Sequence, residues 1–201
     1  MTEQERDLRA RLVAAGVELV TRDGVQALGL REIARQAGVS HGAPRRYFPT
    51  HRELLAAIAQ HGFGKLTDAL AGTDAVAAVS GADARARIAG LARAYLRFAA
   101  ANPGMFELMF RHDLLEGSGA ELRQTTLPLF RTFARLVAEV RPLPGTSDDT
   151  PSDVVTAALW ANLHGLAQLR AWGSLRLVTG GDDVEPLLRA ALDAHLGPER
   201  R

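Results

Sequence analysis

Residues 40–47 read Ser-His-Gly-Ala-Pro-Arg-Arg-Tyr, which sets a hydroxyl, an imidazole, two guanidiniums and a phenol within a short stretch of chain. An arginine offers parallel N–H groups that match the paired acceptors of a guanine edge or the oxygens of a phosphate. His41 at the front can donate or accept a hydrogen bond, Gly42 and Ala43 let another surface come close, and Tyr47 can reach a phosphate. This is recognition chemistry, suited to an acceptor-rich, negatively charged partner. The same residues also fit an ordinary helical hairpin with a solvated basic face, and spacing alone does not separate the two readings.

A second group lies far along the chain. Trp160 and His164 stand one helical turn apart, so they share a face. They suit either a polar anchor and platform in an effector pocket, or a packed tryptophan with a hydrogen-bonded buried histidine. Phe98, Met105, Phe106, Met109, Phe110, Phe130 and Phe133 are core candidates that can also line such a pocket, since small-molecule sites are mostly apolar with a few polar groups. Ala161, beside Trp160, is expected in that site. Catalytic arrangements are poorly supported. Gly117-Ser118-Gly119 lacks the spacing of a nucleophile elbow, and no glycine loop leads into Lys-Ser/Thr to hold a phosphate. His112, Asp113 and Glu116 can share a helical face as metal ligands, but with no second cluster a solvated turn explains them better. No catalytic residue, resident metal or cofactor is expected.

The basic stretch is positioned by Leu30–Phe48. Ile33, Ala34 and Ala37 recur at helical spacing, and Gly38 supplies a helix stop because it tolerates the left-handed conformation. Val39 can pack under the turn, and Ser40 is placed to N-cap a second short helix through Phe48. Two helices joined by so short a turn make a helix-turn-helix, whose second helix enters the DNA major groove. Arg31 sits in the first turn of the leading helix, either as a DNA contact or as a solvated arginine. Thr50-His51-Arg52-Glu53 is a capping box that opens a further helix, whose free N–H groups and His51 suit a phosphate.

Ala-Gly-Val-Ser-His-Gly-Ala-Pro-Arg-Arg-Tyr-Phe-Pro-Thr-His-Arg-Glu-Leu-Leu, following a long helix with Leu12, Ala15, Leu19 and Gly24, resembles the DNA-binding region of TetR-family transcriptional regulators. The resemblance covers roughly residues 6–60. It implies a palindromic double-stranded DNA operator, contacts from Arg31, Ser40, His41, Gly42, Ala43, Arg45, Arg46, Tyr47 and His51, and a dimer paired through its last two long helices. Arg45 stands where the family usually has a tyrosine, His51 replaces a common lysine, and Gly16 replaces a usual alanine. Asn102–Phe110 and Leu159–Gly165 are similar to a C-terminal domain type of the same family marked by Trp, His and Gly, which implies a small-molecule effector.

The rest of the chain fits an all-α protein. The 201 residues allow a small domain plus a larger one; residues 1–70 are expected to form the DNA-binding domain with its connecting fourth helix, and 71–201 an effector and dimerisation domain. Residues 1–65 carry 10 Lys and Arg against 7 Asp and Glu, a local basic excess in a chain of net charge +1. There is no cysteine, which excludes disulfides and thiolate metal sites. The opening Met-Thr-Glu-Gln-Glu-Arg-Asp does not read as a signal peptide, and no apolar run spans a bilayer, so a cytoplasmic location without membrane contact is expected. Helices are expected over Glu3–Arg22, from Leu54 toward Leu70, Asp83–Ala101, Gly104–Phe110, Glu121–Val140 with Pro128 as kink or start, Thr150–Trp172 and Asp183–Leu196. Loops fall at 71–82 and Arg141–Asp149. The helix after Thr150 is apolar nearly all round, so it and the last helix, with Ala191, are expected at a homodimer face. The expectation is a dimeric, effector-responsive DNA-binding regulator, most simply a repressor. The alternative is a helical small-molecule carrier or weak metal enzyme with an incidental basic hairpin.

Overall fold

The computed structural model describes residues 3–72, 84–118, 122–140 and 150–198, and every regular element among them is helical. The expected loop at Arg141–Asp149, most of the connector at 71–82, and the expected helix starts at Asp83 and Glu121 lie outside the described residues. The chain folds into two compact units that interleave in sequence: residues 1–65 with 102–126, and residues 66–101 with 127–201.

In the first unit, α1 (Glu3–Asp23) buries Leu12, Ala15, Leu19 and Val20, and Gly24 closes it at φ 79°. Their spacing of three and four residues makes the inward stripe of an amphipathic helix. A single 3₁₀ turn (Val25–Ala27) leads to α2 (Leu30–Gln36), then α3 (Pro44–Tyr47) and α4 (His51–Ala71). Of the expected capping box the Thr50 half forms, its Oγ1 accepting the Glu53 N–H at 3.2 Å, while the Glu53 carboxylate accepts from the Thr50 hydroxyl at 3.1 Å. The same unit contains α6 (Pro103–Phe110) and α7 (His112–Leu115), far away in sequence. Helix α6 buries Met105, Phe106, Leu108 and Met109.

In the second unit, α5 (Ala84–Ala101), the body of α8 (Leu122–Val140), α9 (Ser152–Ala171), α10 (Ser174–Thr179) and α11 (Glu185–Leu196) form a bundle. Pro128 lies inside α8 and does not start it. Helix α9 begins at Ser152 with Pro151 in the cap position and no side-chain cap, two residues later than the start expected at Thr150. The helix α10 was not expected. It is bracketed by Gly173 at φ 73° and Gly180 at φ 74°, both left-handed, and these two glycines were the available signal for a separate short helix.

Helices α9 and α11 use their apolar residues differently. Leu188, Ala191, Leu192 and Leu196 of α11 are all buried within the protomer, Ala191 at 5 % exposure, so Ala191 is not the surface position expected. Helix α9 buries Val155, Leu159, Leu163, Leu166 and Ala167 on one side, while Val154, Ala157, Ala158, Ala161 and Leu169 are exposed on the other. Ala161 therefore lies on an open stripe, outside the site expected for it. Trp172, at 71 % exposure, follows at the end of that stripe.

Candidate nucleic-acid interface

Gly38, at φ 67°, ends α2 as its sequence implied. Its N–H reaches the Arg35 carbonyl at 3.1 Å, and the Val39 N–H reaches back to Ala34 at 3.0 Å, which serves carbonyls a helix end leaves open. Arg11 of α1 donates to the Ala37 carbonyl at 2.8 Å and fixes the same end from outside.

Helix α3 is shorter than expected. Pro44 has no N–H to give to Ser40, so the Ser40 carbonyl accepts from Ala43 instead, at 3.0 Å, and the stretch before Pro44 is a turn. No side-chain cap forms there. Pro44 is buried and Phe48 is 1 % exposed, and together they anchor the short helix to the core. The Arg9 guanidinium lies 4.7 Å above the centre of the Phe48 ring, a cation–π contact that the sequence did not reveal.

With these anchors inward, Arg31, Ser40, His41, Gly42, Arg45 and Arg46 are exposed, while Ala43, Tyr47 and His51 are half-buried. Arg35 pairs with Glu32 and Arg22 with Asp23, so two nearby arginines are already held by carboxylates. Arg31, Arg45 and Arg46 make no such pair among the described residues. A charged fork held by nothing else is what a phosphate or a base edge requires. His51 is placed differently. Its Nε2 meets the Leu28 carbonyl at 2.6 Å, so that nitrogen must carry a proton and donate there. Arg52 donates to the Glu116 carbonyl at 3.1 Å, which ties the first turn of α4 to the turn after α7 within the same unit.

The expected effector residues divide between the two units. Met105, Phe106, Met109 and Phe110 belong to the first. Phe110 meets Phe63 edge-on at 5.7 Å and Phe106 at 4.9 Å. Phe98, Phe130, Phe133, Trp160 and His164 belong to the second. There Trp160 and His164 lie 5.7 Å apart by ring centres, and His164 Nδ1 is 3.0 Å from the Tyr95 hydroxyl. Burial pushes the Tyr95 phenol well above its usual range and pulls the His164 ring below 6.5. Gln168 completes the group, its Nε2 lying 3.5 Å from His164 Nε2. Tyr95 and Gln168 were missed as members. Tyr95 lies on α5 and His164 on α9, so no local spacing links them.

Among the described residues no group of three or more His, Asp or Glu is placed to hold a metal ion, and no helix is long and apolar enough to cross a membrane.

Comparison with known proteins agrees with this geometry. Residues 12–58 match the family described as bacterial regulatory proteins, tetR family, and residues 88–195 match the tetracyclin repressor-like C-terminal domain. The chain is 28 % identical to the HTH-type transcriptional repressor KstR of Mycobacterium tuberculosis, over 98 % of its own length and 84 % of that protein. Over 44 % of its length it is 38 % identical to the HTH-type transcriptional regulator BetI of Rhizobium meliloti, covering 42 % of that protein. Among solved structures, a protein of unknown function from Rhodococcus sp. RHA1 is 34 % identical, with a TM-score of 0.73 and 96 % of each chain covered.

Proposed function

The chain belongs to the TetR family of bacterial regulators, and we propose that it is a homodimeric repressor that leaves its operator when a small, largely apolar effector binds. That it is a DNA-binding regulator and not an enzyme follows from the family. The observation that carries the DNA-binding surface is the set of exposed, uncommitted side chains Arg31, His41, Arg45 and Arg46 on a helix-turn-helix whose Ile33, Ala34, Ala37, Pro44 and Phe48 are buried. Ser40, Gly42, Ala43 and Tyr47 complete the contact. His51 would contribute through its Nδ1 edge, since Nε2 serves Leu28.

Repression is supported by the name of the curated relative matched along nearly the whole chain, itself a transcriptional repressor. A homodimer is supported by the open apolar stripe of α9, because contiguous apolar surface of this kind marks an interaction site in soluble proteins. Two-fold symmetry would match palindromic half-sites. Residues 1–70 then read DNA, and residues 71–201 carry the effector and dimer functions in a domain of the Trp-His-Gly type. In the second unit Phe98, Phe130 and Phe133 remain the apolar candidates for the effector, with Trp160 and His164 as its polar group; Met105, Phe106, Met109 and Phe110 are a separate apolar set in the first unit. Work on chromosomal DNA places the protein in the cytoplasm.

A gel-shift titration against genomic fragments at two salt concentrations tests the reading, because phosphate contacts make affinity fall steeply with salt. Sedimentation of the free protein is expected to show a dimer. A salt-independent shift, or none with any fragment, would return the basic hairpin to an incidental role.

A further inference from the structure

Pro128, Arg131, Thr132, Ala134, Arg135 and Ala138 line an open groove of about 670 Å³ along the outer face of α8, a volume within the range of small-molecule sites. They recur at intervals of three and four residues and so share one side of the helix. Leu136 and Val137 are buried on the other side, where Phe133 is half-buried.

The polar groups of the groove are donors without a full set of partners. Arg131 is exposed and makes no hydrogen bond or ion pair among the described residues. Arg135, one turn on, donates from Nη2 to Thr132 Oγ1 at 3.1 Å and meets no carboxylate there. Elsewhere in the same unit Arg85 is held by Asp193 and Arg93 by Glu185. Thr132 accepts from Arg135 and keeps its own proton. In Thr126 that proton goes to the Leu122 carbonyl four residues back, at 3.2 Å, whereas Thr132 gives it to nothing among the described residues. Glu139, four residues after Arg135, pairs with neither arginine and does not line the groove.

Two guanidinium forks and a hydroxyl proton on one helix face call for an anion with several oxygens. A phosphate has three terminal oxygens and can serve both forks and the hydroxyl at once, while a carboxylate has only two. Pro128, Ala134 and Ala138 add a short-sided apolar floor. We propose that this groove binds a small phosphate ester, its phosphate held by Arg131, Arg135 and Thr132 and its apolar part lying on Pro128, Ala134 and Ala138. The site is additional to the effector candidates Phe130 and Phe133 of the same helix and does not depend on them.

Calorimetric titration of the full chain tests it with three probes that share a benzyl group: benzyl phosphate, phenylacetate and benzyl alcohol. Benzyl phosphate is expected to bind at about 1 mM or tighter, an ordinary efficiency per atom for so small a molecule. Phenylacetate should bind more weakly, and benzyl alcohol not at all. Arg131→Gln and Arg135→Gln should each weaken benzyl phosphate about 10-fold, the usual consequence of losing a charged hydrogen-bond donor. Arg131→Lys should recover only part of the loss, since it keeps the charge but not the fork. Equal binding of all three probes, equal binding of the two acids, or unchanged affinity in both glutamine variants would each overturn the site. The DNA-reading arginines also suit phosphate, so the variant lacking Arg45 and Arg46 is titrated in parallel. If binding is lost there and kept in the α8 variants, the phosphate belongs to the DNA face and the groove is overturned. DNA binding is measured on each preparation without ligand. A chain that shifts DNA but does not bind benzyl phosphate overturns this proposal alone and leaves the regulator intact.

Discussion

Gly16 of α1 faces Ile58 of α4 so closely that a methyl group on it would lie 2.2 Å from Ile58 Cδ1 and 2.8 Å from Cγ1. Ile58 fills the space that a side chain at position 16 would need. Alanine would gain about 1 kcal/mol of helix propensity, but forcing a methyl into a filled core costs about 1–3 kcal/mol. With Ile58 fully buried, the clash should win. Gly16→Ala should therefore destabilise the chain, and Ile58→Val, which removes Cδ1, should relieve part of the loss. The double variant is expected to be more stable than the sum of the singles by about 0.5–3 kcal/mol. Denaturant titration of the four proteins checks this, and strict additivity would mean the two sites do not compete for space.

Two further glycines set how α6 docks in the first unit, and they should differ in cost. A methyl on Gly62 would meet Met105 Sδ at 2.6 Å and Met109 Sδ at 2.8 Å. Those are ends of flexible side chains, so Gly62→Ala should cost about 1–3 kcal/mol. A methyl on Gly104 would meet the Val20 carbonyl oxygen at 2.3 Å, and backbone cannot swing aside. Gly104→Ala should therefore lower the melting temperature more than Gly62→Ala. The reverse order in thermal unfolding would contradict this packing.

Arg45 and Arg46 are expected to carry much of the DNA affinity, being exposed and uncommitted where Arg35 is held by Glu32. Replacing both by alanine should weaken binding uniformly across sequences if they touch phosphate, and the salt slope should fall by about 1 for each phosphate no longer neutralised. If one reads a base, discrimination at a single operator position should relax as well. An unchanged affinity and slope in a folded double variant would remove them from the interface.

Local signals made most of the fold legible. The spacing of Leu12, Ala15 and Leu19, the stop at Gly38 and the Thr50 cap on the Glu53 N–H each act within a few residues, and the structure keeps them all. Long-range partnerships were not legible. Met105 and Phe110 sit with Phe63 and Gly62 in the first unit because of where the chain returns, which no periodicity reports. Tyr95 is one of two buried aromatics on α5, with Phe98, and only the fold brings His164 opposite its hydroxyl. The start of α3 differs from expectation for a local reason. A proline is tolerated near a helix start, but here its missing N–H turns the preceding residues into a separate turn.

Stability should depend on pH through His164. Burial holds its folded pKa below 6.5, whereas in the unfolded chain it takes up a proton near that value. The unfolded state therefore binds more protons as the pH falls through 6.5, and stability present above that pH is progressively lost below it, until the folded ring also protonates. Carboxylates add their own losses at lower pH, in wild type and variant alike. The melting temperature of the wild type should thus drop more between about pH 7.5 and about pH 5.5 than that of His164→Gln. Parallel curves would show that the ring is solvated in both states.

The dimer prediction follows from the two faces of α9. Its inner side is filled by the second unit's own residues, so Val154, Ala157, Ala158, Ala161 and Leu169 are surplus to the protomer's core. The small side chains midway along would let a second helix approach closely, and Leu169 and Trp172, the latter 71 % exposed, would add apolar area at one end. A charge at Ala161 would enter that approach without disturbing the protomer, because the position is open in the isolated chain. Ala191→Arg is the wrong test, since a residue 5 % exposed inside the bundle would damage the fold itself. Ala161→Arg is therefore expected to give folded monomers with unchanged helical content, and to weaken operator binding because the two half-sites are no longer read together. Sedimentation and gel shift on the same sample decide it. A variant that stays dimeric would move the interface off α9.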